Sequence, residues 1–330
     1  MLCAATPARA VDPALIEAAK KDGTVVWYTT LIVDQLARPI STAFEKKYPG
    51  VRVQYVRANA NDTAIKIINE AKAGKVQADL FDGTSTSEVL RKENLVLSWR
   101  PDSAKDYPKE LVDPDGYWVA TNIYVLTPAF NTDLVAKGSE PKTYEDLLAP
   151  KWRGKMAWDA SGSTAGAPGF IGNVLANMGE DKGIAYLRKL APQKIANQNV
   201  SARQVLDQMI AGEYAIALQI FNHHSEISAK KGAPTEWIPM EPATGSLQVA
   251  SIAKDAPHPN AAKLLLDFLV SEEGQLLFQQ ADYLPAHPNV PSANPRLKPE
   301  GGHFRTIFFS PGDVETNRPR WKSIFDDILR

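Results

Sequence analysis

The sequence predicts an α/β protein of two lobes, each built on a mainly parallel sheet. Short apolar strands alternate with amphipathic helices in two separate blocks of the chain. Two further apolar segments, near residues 126 and 246, are long enough to run as strands from one lobe into the other. A chain of 330 residues is also sufficient for about two domains.

The first block alternates helix and strand up to residue 92. Its helical segments carry apolar residues every three to four positions, and glycine or Pro-Gly ends most of them. The predicted elements are a helix at 13–21, a strand at 24–28, a helix at 34–48, a strand at 51–56, a helix capped by Asn61-Asp62 and ended by Gly74, a strand at 78–81 and a helix at 88–92. This order predicts parallel strands joined by helical crossovers.

The second block repeats the same rhythm after a long strand at 118–130. It comprises a strand at 155–158, helices at 166–178, 181–190, 201–211 and 224–231, a second long strand at 247–253, and helices at 259–269, 272–281 and 318–329. The predicted N-terminal lobe is 11–126 with 246–280, and the C-terminal lobe is 127–245 with 281–330. A ligand cleft between lobes joined by strand hinges is the expected binding place.

The composition excludes several classes of partner. Charged residues make up 23% of the chain, the formal net charge is −1, and like charges form no block. Nothing therefore favours binding to nucleic acid or to a membrane surface. No apolar run approaches the roughly 18 residues that a membrane helix requires.

The first ten residues resemble the end of an export signal rather than part of the fold. Thr6 to Ala10 has the small-x-small pattern of a signal-peptidase site, which predicts cleavage near Ala10 and a periplasmic location. The alternative is the disordered N-terminus of a cytoplasmic protein. Cys3, the single cysteine, falls in this segment, so the mature chain would contain no thiol and no disulfide.

Four loops at predicted strand ends carry hydroxyl, amide and imidazole groups. In open α/β sheets ligands bind beyond the carboxyl ends of strands, where helix N-termini offer free N–H groups to anions. The alternative for each Ser or Thr is a helix N-cap, and for Arg203 a surface salt bridge. The predicted ligand-binding residues are Thr29, Thr30, Thr84, Ser85, Ser161, Gly162, Ser163, Thr164, Asn199, Ser201, Arg203, Asn222, His223 and His224.

The sequence contains no complete catalytic motif of the common kinds. Gly162 to Gly166 resembles a nucleophile elbow but has Thr where the motif requires Ser. The P-loop, HExxH and GxGxxG patterns do not occur. Asp82, Asp159 and Glu226 are not spaced in a diagnostic manner. We therefore expect a binding protein without a cofactor rather than an enzyme, with a hydrolase as a distant alternative.

Several segments resemble the extracellular solute-binding proteins of ABC importers, in the branch of the ferric-iron-binding proteins. The resemblance covers 11–330. It is carried by TVVWYTT at 24–30, ADLFD at 78–82, EDLLAPKWRGK at 145–155, the segment 205–217 and HPNAAKLLLDFLVSEEGQ at 258–275. It implies a type II periplasmic binding protein fold, a monomer, and a permease in the inner membrane as partner.

The resemblance also bears on the ligand. Iron-binding members of the family place two consecutive tyrosines where His223 and His224 stand, and an acidic residue near Thr84-Ser85. Imidazole suits borderline metals better than Fe³⁺, whereas the family's anion pocket is retained in Ser161-Gly162-Ser163, Asn199 and Asn222. We expect a small anionic solute, phosphorylated or carboxylated. The alternative is ferric iron or a metal chelate, held by the two histidines, a synergistic anion and Tyr28.

Overall fold

The computed structural model describes residues 11–330; the predicted signal remnant, its cleavage site near Ala10 and Cys3 lie outside the described residues. The helices are α1 Pro13–Asp22, α2 Arg38–Lys47, α3 Ala60–Lys72, α4 Thr86–Lys92, α5 Ala167–Met178, α6 Glu180–Leu190, α7 Ala202–Ile210, α8 Asn222–Lys230, α9 Pro259–Val270, α10 Glu272–Gln280, α11 Pro299–Gly302 and α12 Pro311–Ile328. The strands are β1 Thr24–Thr29, β2 Arg52–Arg57, β3 Leu80–Gly83, β4 Val96–Leu97, β5 Val119–Asn131, β6 Met156–Asp159, β7 Ala196–Gln198, β8 Ile216–Phe221, β9 Thr235–Trp237, β10 Ala243–Ala253, β11 Leu284–Pro285 and β12 Thr306–Phe309.

The chain divides into two compact units. Within the described residues, unit 1 comprises 11–122, Gln248–Ala281 and Pro285–Val290, and unit 2 comprises Ile123–Leu247, Asp282–Leu284 and Pro291–Arg330. Two of the boundaries fall inside the long strands β5 and β10, so the chain passes from unit to unit in extended conformation. The lobe boundaries expected at residues 126, 246 and 280 stay predictions.

Unit 1 is built on three parallel strands in the order β2–β1–β3. Trp27 of β1 lies opposite Tyr55 on one side and Leu80 on the other. The second half of β10 extends this sheet antiparallel to β3, with Val249 opposite Gly83, and β4 pairs with the end of β10. Because β1 and β3 are parallel, their C-terminal ends meet at one edge of the sheet.

Unit 2 contains a second parallel set in the order β7–β6–β8. Ala157 of β6 lies between Ala196 of β7 and Ala217 of β8. β5 pairs antiparallel with the other side of β8, β9 pairs with the end of β5, and β12 runs parallel to the first half of β10. The C-terminal ends of β7, β6 and β8 are therefore adjacent.

Each unit has its own aromatic core. In unit 2, Trp158 and Phe170 pack at 5.6 Å between ring centroids, and Trp158 packs on Phe325 at 6.1 Å, which attaches α12 to the sheet. In unit 1, Phe44 of α2 contacts Phe268 of α9 at 5.6 Å. Among the described helices, none has the length and apolar character needed to cross a bilayer.

Several element boundaries differ from the prediction. α3 is capped by Asn59, whose side chain accepts the N–H of Asp62, rather than by Asn61-Asp62. The segment expected to form one helix at 34–48 starts with a π-helical stretch at Val33–Ala37 before α2. α12 begins at Pro311 behind a Ser310 capping box, and Pro319 is accommodated within it. At α3 and α12, side-chain hydrogen bonds rather than apolar spacing decide where the helix starts, whereas the π-helical stretch at Val33–Ala37 has no side-chain cap.

Candidate functional site

A fully buried carboxylate, Asp82, lies at the C-terminal edge of the unit 1 sheet. Its oxygens accept hydrogen bonds from Trp27 Nε1 (2.9 Å), the backbone N–H and Oγ1 of Thr30 (2.8 and 2.7 Å), and Gln248 Nε2 (2.7 Å). Burial raises the pKa of Asp82, and the donors of Thr29, Thr30 and Trp27 oppose that rise. The carboxylate thus fixes the loop that follows β1.

The predicted ligand residues of unit 1 flank this carboxylate. Thr29 is fully buried, and its Oγ1 accepts a backbone N–H two residues further along the chain at 3.1 Å. Thr30 is half-buried and bound to Asp82. Thr84 and Ser85 are also half-buried, and Ser85 precedes α4 without making a side-chain capping bond. The structure therefore leaves Thr30, Thr84 and Ser85 partly accessible, and not Thr29.

In unit 2, three loops lie at one edge of the sheet because β7, β6 and β8 are parallel neighbours. The loop after β6 contains Ser161, Gly162, Ser163 and Thr164, the loop after β7 contains Asn199 and Ser201, and β8 continues directly into Asn222, His223 and His224. The sequence-predicted residues of this unit are thus brought to a single edge.

The loop after β6 folds back on the end of its own strand. Asp159 is buried, accepts the Ser161 N–H at 2.7 Å, and has its pKa raised by burial against the opposing effect of the Ser161 donors. Ser163 Oγ accepts the N–H of Ala165 at 3.1 Å. Gly162 has φ +91°, and a Cβ there would meet open space. The turn is fixed by local hydrogen bonds, with Gly162 facing outward.

α5 begins directly behind this turn and has no side-chain cap at its Gly166 N-cap. A Cβ on Gly166 would lie 2.1 Å from the carbonyl oxygen of Asp159, so only glycine allows the helix start to pack this closely against the strand end. Pro168 in the first turn has no N–H group, which leaves the N–H groups of Ala167 and Gly169 without an intrahelical acceptor at this helix start.

The two predicted histidines lie in the first turn of α8. We expected Asn222 to end the strand and the helix to begin at His224. The strand does end before Asn222, but the helix begins two residues earlier than expected, at Asn222, with Phe221 as its N-cap and again without a side-chain capping bond. Asn222 Nδ2 donates to the carbonyl of Leu297 at 2.8 Å, which anchors this helix start. The structure therefore provides a second uncapped helix start at the same edge as α5.

The rings of the histidine pair are 4.4 Å apart at their centroids. His223 is buried, stacks on Tyr124 at 5.9 Å with a 16° interplanar angle, and contacts Tyr283 at 5.8 Å. Burial lowers the pKa of His223 well below its usual value, with a smaller contribution from His224. Burial, followed by the charge of Arg203, lowers the pKa of His224 to about 4. Both imidazoles are therefore neutral near pH 7.

Three polar atoms of this helix start have no hydrogen-bond partner among the described residues: Asn222 Oδ1, His223 Nδ1 and His224 Nδ1. A neutral imidazole carries one N–H donor and one acceptor nitrogen. Because buried polar atoms are nearly always paired in folded proteins, this cluster has the chemistry of a place where a polar solute is held.

Of the three remaining predicted residues of unit 2, two have structural partners. Asn199 is exposed. Ser201 forms a capping box with Gln204 at the start of α7. Arg203 pairs with Asp207 at 2.7 Å, both side chains being more than a third exposed. These are the cap and the surface salt bridge that the sequence left open as alternatives.

The structure also bears on metal binding. Within residues 11–330, no three His, Cys, Asp or Glu side chains are grouped closely enough to hold a metal ion. His223 and His224 therefore have no third protein ligand of these types beside them in the part of the chain that is described.

Two glutamines were missed by the sequence interpretation. Gln248 binds both Asp82 and Thr30 in unit 1. Gln219 is a polar residue in the otherwise apolar strand β8, and its amide is buried. Only the second left a signal in the sequence, since a single polar residue interrupts Ile-Ala-Leu-Gln-Ile-Phe.

Comparison with known proteins gives a family match and several relatives. The family model described as "Bacterial extracellular solute-binding protein" matches residues 40–300. A Haemophilus influenzae protein of uncharacterised function is 27% identical over 86% of this chain and 83% of its own length. A putative 2-aminoethylphosphonate-binding periplasmic protein of Salmonella typhimurium is 21% identical over 84% and 80%, and iron uptake protein A1 of Synechocystis is 21% identical over 71% and 68%.

Solved structures show the same fold. The periplasmic binding protein AfuA of Actinobacillus pleuropneumoniae, with fructose-6-phosphate bound, aligns with a TM-score of 0.74 and 23% identity over 93% of this chain and 98% of that one. Iron-bound HitA of Pseudomonas aeruginosa aligns with a TM-score of 0.74 and 21% identity over 92% and 99%. The predicted α/β class, the type II periplasmic binding protein fold, is confirmed.

Proposed function

We propose that the solute of this protein is a small organic anion, phosphorylated or carboxylated. The premise is that the chain belongs to the bacterial extracellular solute-binding proteins and is the solute-binding component of an ABC importer. The protein captures the solute and delivers it to the membrane permease. The site we propose for the anionic group is the edge of the unit 2 sheet where α5 and α8 begin.

The observation that carries this proposal is the pair of helix starts without side-chain caps. Each presents backbone N–H groups and the positive end of a helix dipole, which favours a nearby anion by about 0.3–1 kcal/mol, and by more when partly buried. The hydroxyls of Ser161, Ser163 and Thr164 stand beside α5, and two imidazoles stand on α8. Such donors match the oxygens of a phosphate or carboxylate group.

The compounds bound by relatives support the solute class. AfuA holds fructose-6-phosphate, and the Salmonella relative is described as binding 2-aminoethylphosphonate. Both compounds carry a phosphorus oxyanion on a small organic body. The iron-bound HitA structure and the Synechocystis relative support the alternative, ferric iron or a metal chelate, with His223 and His224 as donors. Neutral imidazoles that have no third acidic or imidazole ligand beside them within residues 11–330 favour the anion over Fe³⁺.

The remaining features of the proposal follow from this role. The protein works without chemical turnover and without a cofactor, acts as a monomer in the periplasm, and binds no nucleic acid. The contacts of Thr30, Thr84 and Ser85 of unit 1 with the same solute stay a prediction. So do the ligand roles expected for Thr29, Asn199, Ser201 and Arg203.

Isothermal titration calorimetry of the purified protein tests the solute class. Fructose-6-phosphate and 2-aminoethylphosphonate are compared with fructose, which lacks the anionic group, and with ferric citrate. We expect binding of at least one phosphorus oxyanion and none of fructose. Equal binding of fructose, or tight uptake of iron with no binding of either anion, would reverse the assignment. Mass spectrometry of the recovered solute checks that it is unchanged.

Removing two hydroxyls from the turn after β6 tests the location of the site. The double substitution Ser161→Ala with Ser163→Ala should weaken binding of the anion by roughly 1–3 kcal/mol for each charged hydrogen bond lost. Ser139→Ala, in an exposed loop of the same unit, is the matched control and should leave the affinity unchanged. A silent double variant would place the anion elsewhere, and Thr84→Ala with Ser85→Ala then tests unit 1.

A further inference from the structure

Gln219 occupies a strained position in β8. Its φ of +56° lies in the left-handed region, which residues other than glycine adopt rarely and with a loss of stability. The register with β5 changes at the same place, because Thr127 pairs with Ile220 whereas Ala129 pairs with Ala217. β8 therefore contains one extra residue here. Bulges of this kind redirect a side chain and are frequent beside binding sites.

The side chain of Gln219 is 3% exposed and only half satisfied. Its Oε1 accepts a hydrogen bond from Thr244 Oγ1 at 3.3 Å, while Nε2 has no hydrogen-bond partner among the described residues. A buried donor without an acceptor lowers the stability of the folded state. Strand strain and an unpaired amide thus occur in the same residue, and neither stabilises unit 2.

The unpaired amide points at the start of α5. The position that a Cβ on Gly169 would occupy is 3.0 Å from Gln219 Nε2 and 1.8 Å from the carbonyl oxygen of Thr164. Because Gly169 has no Cβ, both Gln219 Nε2 and the carbonyl oxygen of Thr164 can lie close to the space that a Cβ would fill. Thr164 is the last hydroxyl residue of the turn that we assign to the anion. Gln219 therefore lies beside the backbone at the end of that turn.

We propose that Gln219 is a positioning residue of the solute site, donating from Nε2 to the carbonyl of Thr164 when the turn after β6 closes on the anion. This inference rests on the proposed function. This hydrogen bond would form only in the solute-bound protein and would compensate there for the backbone strain of residue 219. It would therefore contribute to the free energy of solute binding.

Two substitutions of equal side-chain length test the donor. Gln219→Met keeps the shape but removes the amide, and Gln219→Glu replaces the donor nitrogen by an acceptor oxygen. Gln193→Met is the control, because Gln193 is a buried glutamine of unit 2 whose Nε2 already donates to the Leu148 carbonyl. Measurements are the melting temperature without solute, the dissociation constant for fructose-6-phosphate and 2-aminoethylphosphonate, and amide hydrogen exchange at Ala165 and Gly166.

We expect Gln219→Met to melt at the same or a higher temperature than the wild type, to bind about tenfold more weakly, and to lose the solute-induced protection of Ala165 and Gly166. Gln219→Glu should bind at least as weakly. Gln193→Met should melt at a lower temperature with unchanged affinity.

A lower melting temperature for Gln219→Met, as in the control, would make Gln219 a purely structural residue and overturn the inference. An unchanged affinity would also overturn it. If the wild type bound neither compound, the proposed solute class would be refuted independently of the role of Gln219. The melting temperatures would still decide about Gln219, since an equal or higher value supports the inference and a lower one refutes it.

Discussion

His223 is buried and His224 half-buried in the first turn of α8, and burial lowers the pKa of both, that of His224 to about 4. An unfolded histidine titrates near 6.5, so between these values the folded protein binds fewer protons than the unfolded chain. The stability that these neutral rings contribute is therefore complete above about pH 6.5 and is lost as the pH falls toward 4. For His224 the shift corresponds to about 3 kcal/mol.

This pH dependence can be measured by calorimetric melting between pH 7 and pH 4.5. The melting temperature of the wild type should fall over this range, and the fall should be smaller in His224→Gln, which has no imidazole to protonate. His303→Asn is the control, because His303 is exposed and Asn tolerates its left-handed backbone, with φ +53°. Parallel curves for wild type and His224→Gln would show that the histidine is not held neutral by burial.

Single residues were also where the sequence was least informative. The Asp82 network joins residues 166 positions apart, so no local pattern announces that Gln248 will contact Asp82. Thr29 and Thr30 look equivalent in the sequence, yet one hydroxyl is fully buried and the other remains partly accessible. Contacts of this kind depend on tertiary packing and cannot be predicted from the helix or strand propensities of the residues.

At the scale of elements, the join between β6 and α5 depends on glycines. A Cβ on Gly166 would lie 2.1 Å from the Asp159 carbonyl oxygen, and a Cβ on Gly169 would lie 1.8 Å from that of Thr164. Both neighbours are backbone atoms, which cannot move without shifting the turn. Glycine at these positions is required by close approach, since neither residue has a positive φ.

Gly166→Ala should therefore destabilise the protein by about 2 kcal/mol or more and weaken solute binding, because the turn after β6 is displaced. Gly179→Ala is the matched control. Its φ of +79° and ψ of 164° lie in a region that essentially only glycine adopts, and a Cβ there has no neighbour within 4 Å, so this variant should also lose stability but leave binding unchanged. Urea unfolding and calorimetry measure the two effects. An unchanged affinity in Gly166→Ala would argue against a displaced turn and hence against close packing at Gly166.

Helices and strands with strong periodicity were predicted well from the sequence, while their starts were not. The strand at β1 and the helix α9 differ from expectation by about one residue at an end. The start of α8 was misplaced because Asn222, His223 and His224 have no marked helix propensity. Tertiary contacts, including the bond from Asn222 to Leu297, hold that turn.

At the scale of the whole molecule, a receptor that binds only when folded should gain stability from its solute. A solute at 100 times its dissociation constant raises the free energy of unfolding by about 2.7 kcal/mol. Thermal melting with increasing fructose-6-phosphate or 2-aminoethylphosphonate should show this increase for the compound that binds. Fructose at equal concentration is the control. The absence of any shift with both anions would count against the proposed solute class.

Unit 1 is made from chain segments that are far apart in the sequence. Asp22, at the end of α1, accepts the N–H groups of Asn260 and Ala261 at 2.8 and 2.9 Å, and α9 packs on α1 and β1. During translation, residues 11–122 therefore cannot complete their packing until α9 has been synthesised. A core that is completed this late keeps the nascent chain unfolded for longer, which is compatible with the periplasmic location that we propose.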